Sequence, residues 1–250
     1  MTAVATPPVI DIEEGPDRVI ARLNRPQVRN AIDQQMVDEL HELCANLERT
    51  PKILLIAGSG GSFAAGADIG ALLSRGRDDA LRGINSTVFA RLQRLPMPVV
   101  GLLDGYALGG GAELAYACDF RIGTAEVKIG NPEPGLGIIA GAGGCWRLRE
   151  LVGEVVAKEI LLGGRVLDAQ RALRCGLLNE IVTADDLLAT GHRWADRIAA
   201  QAPLAIRLTK AVFHAPAAAH PVIDDLAQAV LFETQDKADR MTAFLAGTDS

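Results

Sequence analysis

GYALGGGAELAYACDF, Gly105 to Phe120, is the stretch around which this chain is organised. Three consecutive glycines, Gly109, Gly110 and Gly111, run directly into AELAYA, a segment of good helix formers. Glycine adopts backbone angles closed to other residues and lets a ligand approach the main chain. At a helix N-terminus the unpaired amides and the positive end of the macrodipole favour an anionic oxygen. Glu113 is then a carboxylate in the first turn, beside an oxyanion site. A tight strand-to-helix turn with a solvated glutamate is the alternative that this stretch alone leaves open.

Upstream, Val99 to Leu103 reads as a buried strand feeding the glycine turn. The same arrangement occurs earlier. Ile53 to Ala57 is a continuous apolar run bounded by Pro51 and Gly58, as expected of a strand buried on both faces, and it empties into GSGGSFAAGADIGAL. Phe63, Ala64, Ala65 and Ala67 are poor choices for a solvent-facing loop and keep side chains small where a ligand must lie against the backbone. Two loops at strand ends, marked by Gly66-Ala67 and Gly109-Gly110, can each aim one amide at the same oxygen. Downstream, in GNPEPGLGIIAGAGG, Pro132 and Pro134 bracket Glu133 and predict a nearly fixed, non-helical main chain around it. Such a carboxylate is well placed for chemistry; capping of a neighbouring amide is the alternative.

The remaining elements follow from period and punctuation. Val9 to Glu13 and Arg18 to Leu23 predict a hairpin across Glu14-Gly15-Pro16-Asp17. Asp33 caps a helix from Gln34 to Arg49, whose buried face is Met36, Val37, Leu40, Leu43, Cys44 and Leu47. Arg75 to Arg82 is polar and reads as a surface connection, and Ile84 to Leu95 as a helix ended by Pro96. Asp119 to Gly123 and Val127 to Ile129 are short strands. Helices are expected from Gly141–Gly144 through Leu151, over Val155 to Leu162, over Asp168 to Arg174, from Asp185 to about Ala202, and from Pro203 to about Ala215. Val222 to Phe232 and Ala238 to Leu245 complete a helical tail.

Composition removes several classes of function. The 250 residues are 49% hydrophobic and 22% charged, enough for one large globular domain, alone or with a helical appendage. A net charge of -6 disfavours a nucleic-acid partner. Cys44, Cys118, Cys145 and Cys175 form no CxxC, so reduced thiols and a cytoplasmic location are expected, with no zinc site. The N-terminal MTAVATPPVIDIEEG lacks the pattern of a secretory leader. The most hydrophobic window, Val99 to Ala117, is interrupted by Asp104, Glu113 and five glycines, so no membrane span is expected. His41, His192, His214 and His220 have no metal spacing, and no metal is expected. There is no GKS or GKT for a phosphate loop and no GxSxG elbow, while GLGIIA is a weak match to a dinucleotide fingerprint.

Taken together, LNRPQVRNAI, FAAGADI at Phe63 to Ile69, DGYALGGGAELAYACDFRIG at Asp104 to Gly123, GNPEPGLGIIAGAGG at Gly130 to Gly144 and ETQDKADRMTAFL near the C-terminus resemble the enoyl-CoA hydratase/isomerase, or crotonase, superfamily. The pieces fall in the family's order and span nearly the whole chain. The resemblance implies an α/β spiral of repeated ββα units packing two roughly perpendicular sheets over residues 1–195. A helical oligomerisation region, 196–250, is implied to build a homo-trimer or a hexamer. It also implies an acyl-CoA thioester substrate whose carbonyl oxygen is held by the amides of Ala67 and Gly110. Glu113 and Glu133 stand at the two positions that hold water and manage the α-carbon proton. No separate cofactor is then called for, since coenzyme A is part of the substrate. With both glutamates present, a 2-enoyl-CoA hydratase is the first expectation and a double-bond isomerase, needing mainly Glu133, the second. A non-catalytic acyl-CoA-binding protein and an acyl-CoA hydrolase or decarboxylase are the rivals from other classes.

The resemblance also has departures. Gln27 and Gly70 stand where lysines commonly meet the CoA phosphates, which makes Arg25 and Arg29 the expected substitutes. Ala65, Asp68, Ile69, Gly109 and Gly141, all in the matched motifs, are the other implied substrate-binding positions. Pro134 and Ala140 differ from the usual residues beside the acyl group, so the resemblance implies an acyl-CoA without specifying its length. The chain stops at Gly247 to Ser250 without the basic tail that often follows AFL.

Overall fold

The structure is a computed structural model that describes residues 7–248. Residues 1–6, part of the stretch read for a leader, and residues 249–250, the end of the stretch compared with a basic tail, lie outside the described residues.

The expected hairpin is present as β1 (Ile10–Glu14) and β2 (Arg18–Leu23), antiparallel with Ile10 opposite Leu23. Helix α1 (Gln34–Arg49) begins where Asp33 accepts a hydrogen bond from the Met36 amide (2.9 Å), and it buries all six expected apolar residues. It leads to β3 (Ile53–Gly58), which runs parallel to β2.

Three helices follow: α2 (Ile69–Ser74), α3 (Arg77–Arg82) and α4 (Ile84–Gln93). The second of these corrects the expected polar connection. Asp79 accepts from the Gly76 amide (2.9 Å) and pairs with Arg82 one turn on, which suffices for a short helix without a buried face.

From here the chain adopts a spiral. Strands β4 (Val99–Leu103) and β5 (Tyr106–Leu108) are followed by α5 (Gly110–Tyr116); β6 (Phe120–Thr124) and β7 (Lys128–Gly130) are followed by α6 (Gly144–Leu161). In each unit the first strand joins one sheet and the second joins another. Then come β8 (Leu167–Asp168), α7 (Ala169–Arg174), β9 (Glu180–Val182) and α8 (Leu187–Ala199). The larger sheet has the order β1-β2-β3-β4-β6-β9, parallel from β2 onward, and the smaller has the order β5-β7-β8.

The two faces of the large sheet have separate cores. Leu54 and Ile56 of β3 pack toward Met36, Leu40 and Phe89, whereas Ile53, Leu55 and Ala57 pack with Val100, Leu102 and the α8 residues Leu187, Ala195 and Ile198. This is why the strand reads as an unbroken apolar run: both faces are covered. Helix α6 spans the two expected helices and changes direction at Gly153, whose φ of 76° and ψ of 167° are non-helical.

Three helices, α9 (Pro203–Phe213), α10 (Val222–Phe232) and α11 (Gln235–Thr248), end the described chain. A buried ion pair fastens α9 to the core: Lys210 Nζ donates to Asp119 Oδ2 (2.6 Å) and to the Met97 carbonyl (3.2 Å), and the same carboxylate oxygen accepts from the Val99 amide (2.7 Å). Burial alone would raise the Asp119 pKa, but His214, Lys210 and the Val99 amide hold it below its ordinary 3.8. Beyond this clamp, Val222, Leu226, Val230, Phe232 and Met241 are exposed.

Candidate active site

Backbone pairing brings the two glycine loops together. Phe63 N donates to Asp104 O (2.7 Å), Ala64 N to Tyr106 O (2.9 Å) and Leu108 N to Ala64 O (3.0 Å), so the loop after β3 runs alongside β5. Gly109 N donates to Gly130 O (2.9 Å), which joins the start of α5 to the end of β7. At Gly111 the contact leaves no room for a side chain, since a Cβ there would lie 2.0 Å from the Ala64 carbonyl oxygen, whereas one at Gly110 would lie 3.5 Å from the Ala67 amide nitrogen, in ordinary contact. Among the described residues, neither Ala67 N nor Gly110 N donates a hydrogen bond to a protein acceptor. Two unpartnered donors therefore flank one spot, as an oxyanion site requires.

Both glutamates face the same pocket. It has a volume of about 670 Å³, and its lining includes Ala67, Gly110, Glu113 and Glu133, with Leu72, Ile84, Leu136, Ile138 and Ile139 forming apolar wall. Ala65, Ile69, Gly109 and Gly141 also line it, whereas Arg25, Arg29 and Asp68 do not. Arg25 pairs with Asp33 (3.1 Å) and donates to the Ala31 carbonyl (2.5 Å), bracing the turn before α1. Arg29 is exposed, with its guanidinium 5.3 Å from the centroid of Tyr106. Asp68 caps α2 by accepting from the Ala71 amide (2.9 Å).

Glu113, in the first turn of α5, is only 3% exposed, and its Oε1 accepts from the amides of Ala142 (2.6 Å) and Gly144 (2.9 Å). Arg147, itself buried, donates to the Ala142 carbonyl (3.1 Å) and to Gln93 Oε1 (2.7 Å), securing the segment that supplies those amides. Burial pushes the Glu113 pKa up, aided by the charge of Glu133 and opposed by the two amides and Arg147, to about 7. The protonated form is therefore favoured by the fold, and the stabilisation this gives is complete below the ordinary value of 4.5 and lost as pH rises through about 7. The ionised carboxylate at pH 8 costs about 3 kcal/mol, by the usual conversion of pKa shift to free energy. Glu113→Gln keeps the acceptor without the charge, so its Tm is expected several degrees above wild type at pH 8, with the gain gone at pH 4. An equal difference at both pH values would contradict this.

Glu133 starts a single turn of 3-10 helix, Glu133–Leu136, which corrects the expected non-helical shape. Pro134 fits because a first turn needs no amide donor from that position, and Gly137, at φ 74°, closes the turn. The carboxylate is 7% exposed, Oε1 accepts from Asn131 Nδ2 (3.3 Å), and Oε2 is buried without a protein partner. Burial raises its pKa, against the hydrogen bond from Asn131. Asn131 and Arg147 were not read from the sequence as site residues: Asn-Pro reads as a turn, and an arginine in an amphipathic helix reads as surface. Among the described residues no group of three or more His, Cys, Asp or Glu side chains is arranged to hold a metal ion, and no helix is long and apolar enough to cross a membrane.

A two-sheet spiral of strand-strand-helix units, closed by helices and holding paired amides against buried carboxylates, is the crotonase fold. The chain belongs to the enoyl-CoA hydratase/isomerase family, whose model matches residues 18–246. It is 36% identical to a crotonyl-CoA hydratase of Syntrophomonas wolfei, with 94% of each chain covered. It is 35% identical to a short-chain-enoyl-CoA hydratase of Clostridium acetobutylicum, covering 95% of this chain and 94% of that one. Among solved structures, the enoyl-CoA hydratase of Bacillus anthracis superposes with a TM-score of 0.90 at 29% identity, over 96% of each chain. The protein is thus a member of the crotonase superfamily of enzymes.

Proposed function

We propose that the protein hydrates 2-enoyl-CoA thioesters to 3-hydroxyacyl-CoA. The observation that carries this is the presence of two buried carboxylates, Glu113 and Glu133, on one pocket beside the free amides of Ala67 and Gly110. In the reaction, water oxygen bonds to C3 while the C2–C3 π electrons move toward the thioester oxygen. The two amides receive the charge that develops there. Return of the electrons takes a proton onto C2, so one water is added and no net proton is gained or lost. We assign Glu113 as the base that takes a proton from the attacking water as its O–H bond breaks, and Glu133, through Oε2, as the acid that gives its proton to C2; return of the proton from Glu113 to Glu133 restores the starting state. A carboxyl near pKa 7 suits proton exchange at neutral pH.

Apolar walls at Leu72, Ile84, Leu136 and Ile138 suit an aliphatic acyl group, and the relatives named for crotonyl-CoA and short-chain enoyl-CoA make crotonyl-CoA the first substrate to try. Double-bond isomerisation, which needs mainly Glu133 and its unpartnered Oε2, is the second reading. Product analysis after incubation with 2-enoyl-CoA and, separately, 3-enoyl-CoA tests the choice. Formation of 3-hydroxyacyl-CoA supports hydration, and interconversion of the two enoyl isomers without it overturns the proposal.

The same proposal includes assembly into a homo-trimer or hexamer through the 196–250 region, and a cytoplasmic location. Exposed Val222, Leu226, Val230 and Phe232 support the assembly. Sedimentation is expected to give three or six times the chain mass of 26.4 kDa, and a monomer would contradict it.

A further inference from the structure

Behind the catalytic carboxylates lies a buried polar chain that the chemistry above does not use. Tyr116, 2% exposed, is the last residue of α5, and its hydroxyl donates to Asn131 Oδ1 (3.0 Å). Asn131, with no exposed surface, turns its Nδ2 toward two acceptors: the Gly109 carbonyl oxygen (3.4 Å) and Glu133 Oε1 (3.3 Å). Two acceptors fix this orientation of the amide: a flipped Asn131 would set its oxygen against the Gly109 carbonyl and the Glu133 carboxylate, whereas the Tyr116 hydroxyl can serve either orientation.

We propose that Asn131, held by Tyr116, is the positioning residue that ties Glu133 to the oxyanion amide of Gly110. The Gly109 carbonyl and the Gly110 N–H belong to one planar trans peptide, so they point in opposite directions. Fixing the carbonyl on Asn131, and on the Glu113 amide that also donates to it (3.0 Å), aims the N–H toward Ala67 and the pocket. The second hydrogen of the same Nδ2 takes Glu133 Oε1 and leaves Oε2, which has no protein partner, as the oxygen that exchanges a proton. Tyr116 lies one turn after Glu113 on α5, so the chain Tyr116–Asn131–Glu133 also fixes the two carboxylates relative to each other. Asn131 and Tyr116 touch no reacting atom; both act through other groups.

Removing this chain has a directional effect. The groups facing Glu133 are Glu113 and Tyr116 from α5 and Cys145 from the start of α6, with Arg147 acting on Glu113. Asn131 supplies the side-chain hydrogen bond that favours the ionised form of Glu133 against burial. Its loss therefore moves the Glu133 titration upward, and because Glu133 gives its proton to C2 the alkaline limb of the kcat–pH profile moves upward with it.

The test uses the full chain in its native assembly, with Tyr116→Phe and Asn131→Ala. This proposal rests on the hydratase reading for its kinetics, so a second measurement is independent of turnover. That measurement is infrared titration of the Glu133 carboxyl band, assigned by its loss in Glu133→Gln. We expect kcat for crotonyl-CoA to fall by about tenfold or more in Asn131→Ala, the effect of losing a hydrogen bond to a charged group, and by about threefold or more in Tyr116→Phe, where the lost bond joins two neutral groups, with KM within about threefold in both. The Glu133 band is expected to titrate at higher pH in both variants. An unchanged kcat overturns the proposal, and so does a lower kcat with the Glu133 titration where it stands in wild type. If wild type hydrates no enoyl-CoA, the hydratase reading fails on its own, and displacement of the titration supports the relay or its absence overturns it. Tyr116→Phe removes a single atom, so the relay stays testable should Asn131→Ala not fold.

Discussion

Glu133→Gln is expected to lower kcat for crotonyl-CoA hydration by about 10² to 10⁴, the range for loss of a positioned general acid or base. Glutamine keeps the size of the side chain and can still accept from Asn131 Nδ2, so the turn Glu133–Leu136 should persist. What disappears is the ionisable oxygen, Oε2, which is buried without a protein partner. Thioester binding depends on the amides and the apolar walls, so KM should stay close to wild type. Activity within twofold of wild type would remove Glu133 from the proposed role, and a large rise in KM with kcat unchanged would recast it as a binding residue.

Gly110→Pro is expected to cost about 3 to 4 kcal/mol of transition-state stabilisation, the typical loss for one oxyanion donor. Gly110 is the first residue of α5, a position where proline is compatible with the helix because the amide there has no intrahelical partner. Gly109 precedes it at φ 53° and, lacking a side chain, has none to clash with the ring. The variant should therefore fold, as read by far-ultraviolet circular dichroism and thermal unfolding, while kcat falls by several hundredfold or more. A folded variant of wild-type activity would refute the oxyanion assignment of Gly110. Gly110→Ala offers a milder comparison, since it keeps the N–H but adds a methyl 3.5 Å from the Ala67 amide nitrogen.

The parts of this architecture that were legible in the sequence are those with a strong local cause. Helix α1 announced itself by Asp33 and by six apolar residues at spacings of three and four. Strands β3 and β4 were visible as apolar runs because each is covered on both faces, and the glycine turn was visible because Gly111 must admit the Ala64 carbonyl. Periodicity could not reveal β5, β8 and β9. They are two or three residues long, so the smaller sheet exists only through its pairing. Helix α3 has no buried residue and so left no hydrophobic trace.

The site divides in the same way. Glu113 and Glu133 could be singled out because glycines and prolines mark the backbone around them. Their electrostatics could not, since those depend on which amides the fold turns toward them: Ala142 and Gly144, 29 and 31 residues away, for Glu113, and the side chain of Asn131, two residues before it, for Glu133. Arg25 illustrates the opposite case. Its motif suggested a phosphate contact, but its guanidinium braces its own turn through Asp33 and the Ala31 carbonyl. Of the two arginines read as substitutes, Arg29 is the exposed one.

The most direct test of the two-carboxylate hydratase is the loss of conjugated enoyl-thioester absorbance with crotonyl-CoA and longer 2-enoyl-CoAs, for wild type beside Glu113→Gln. Rapid loss with wild type, removed by a substitution that leaves the fold intact, is the predicted result, and the wild-type rates rank acyl lengths in the same experiment. Detectable CoA binding with no loss of absorbance in wild type, or equal rates in both proteins, would contradict it.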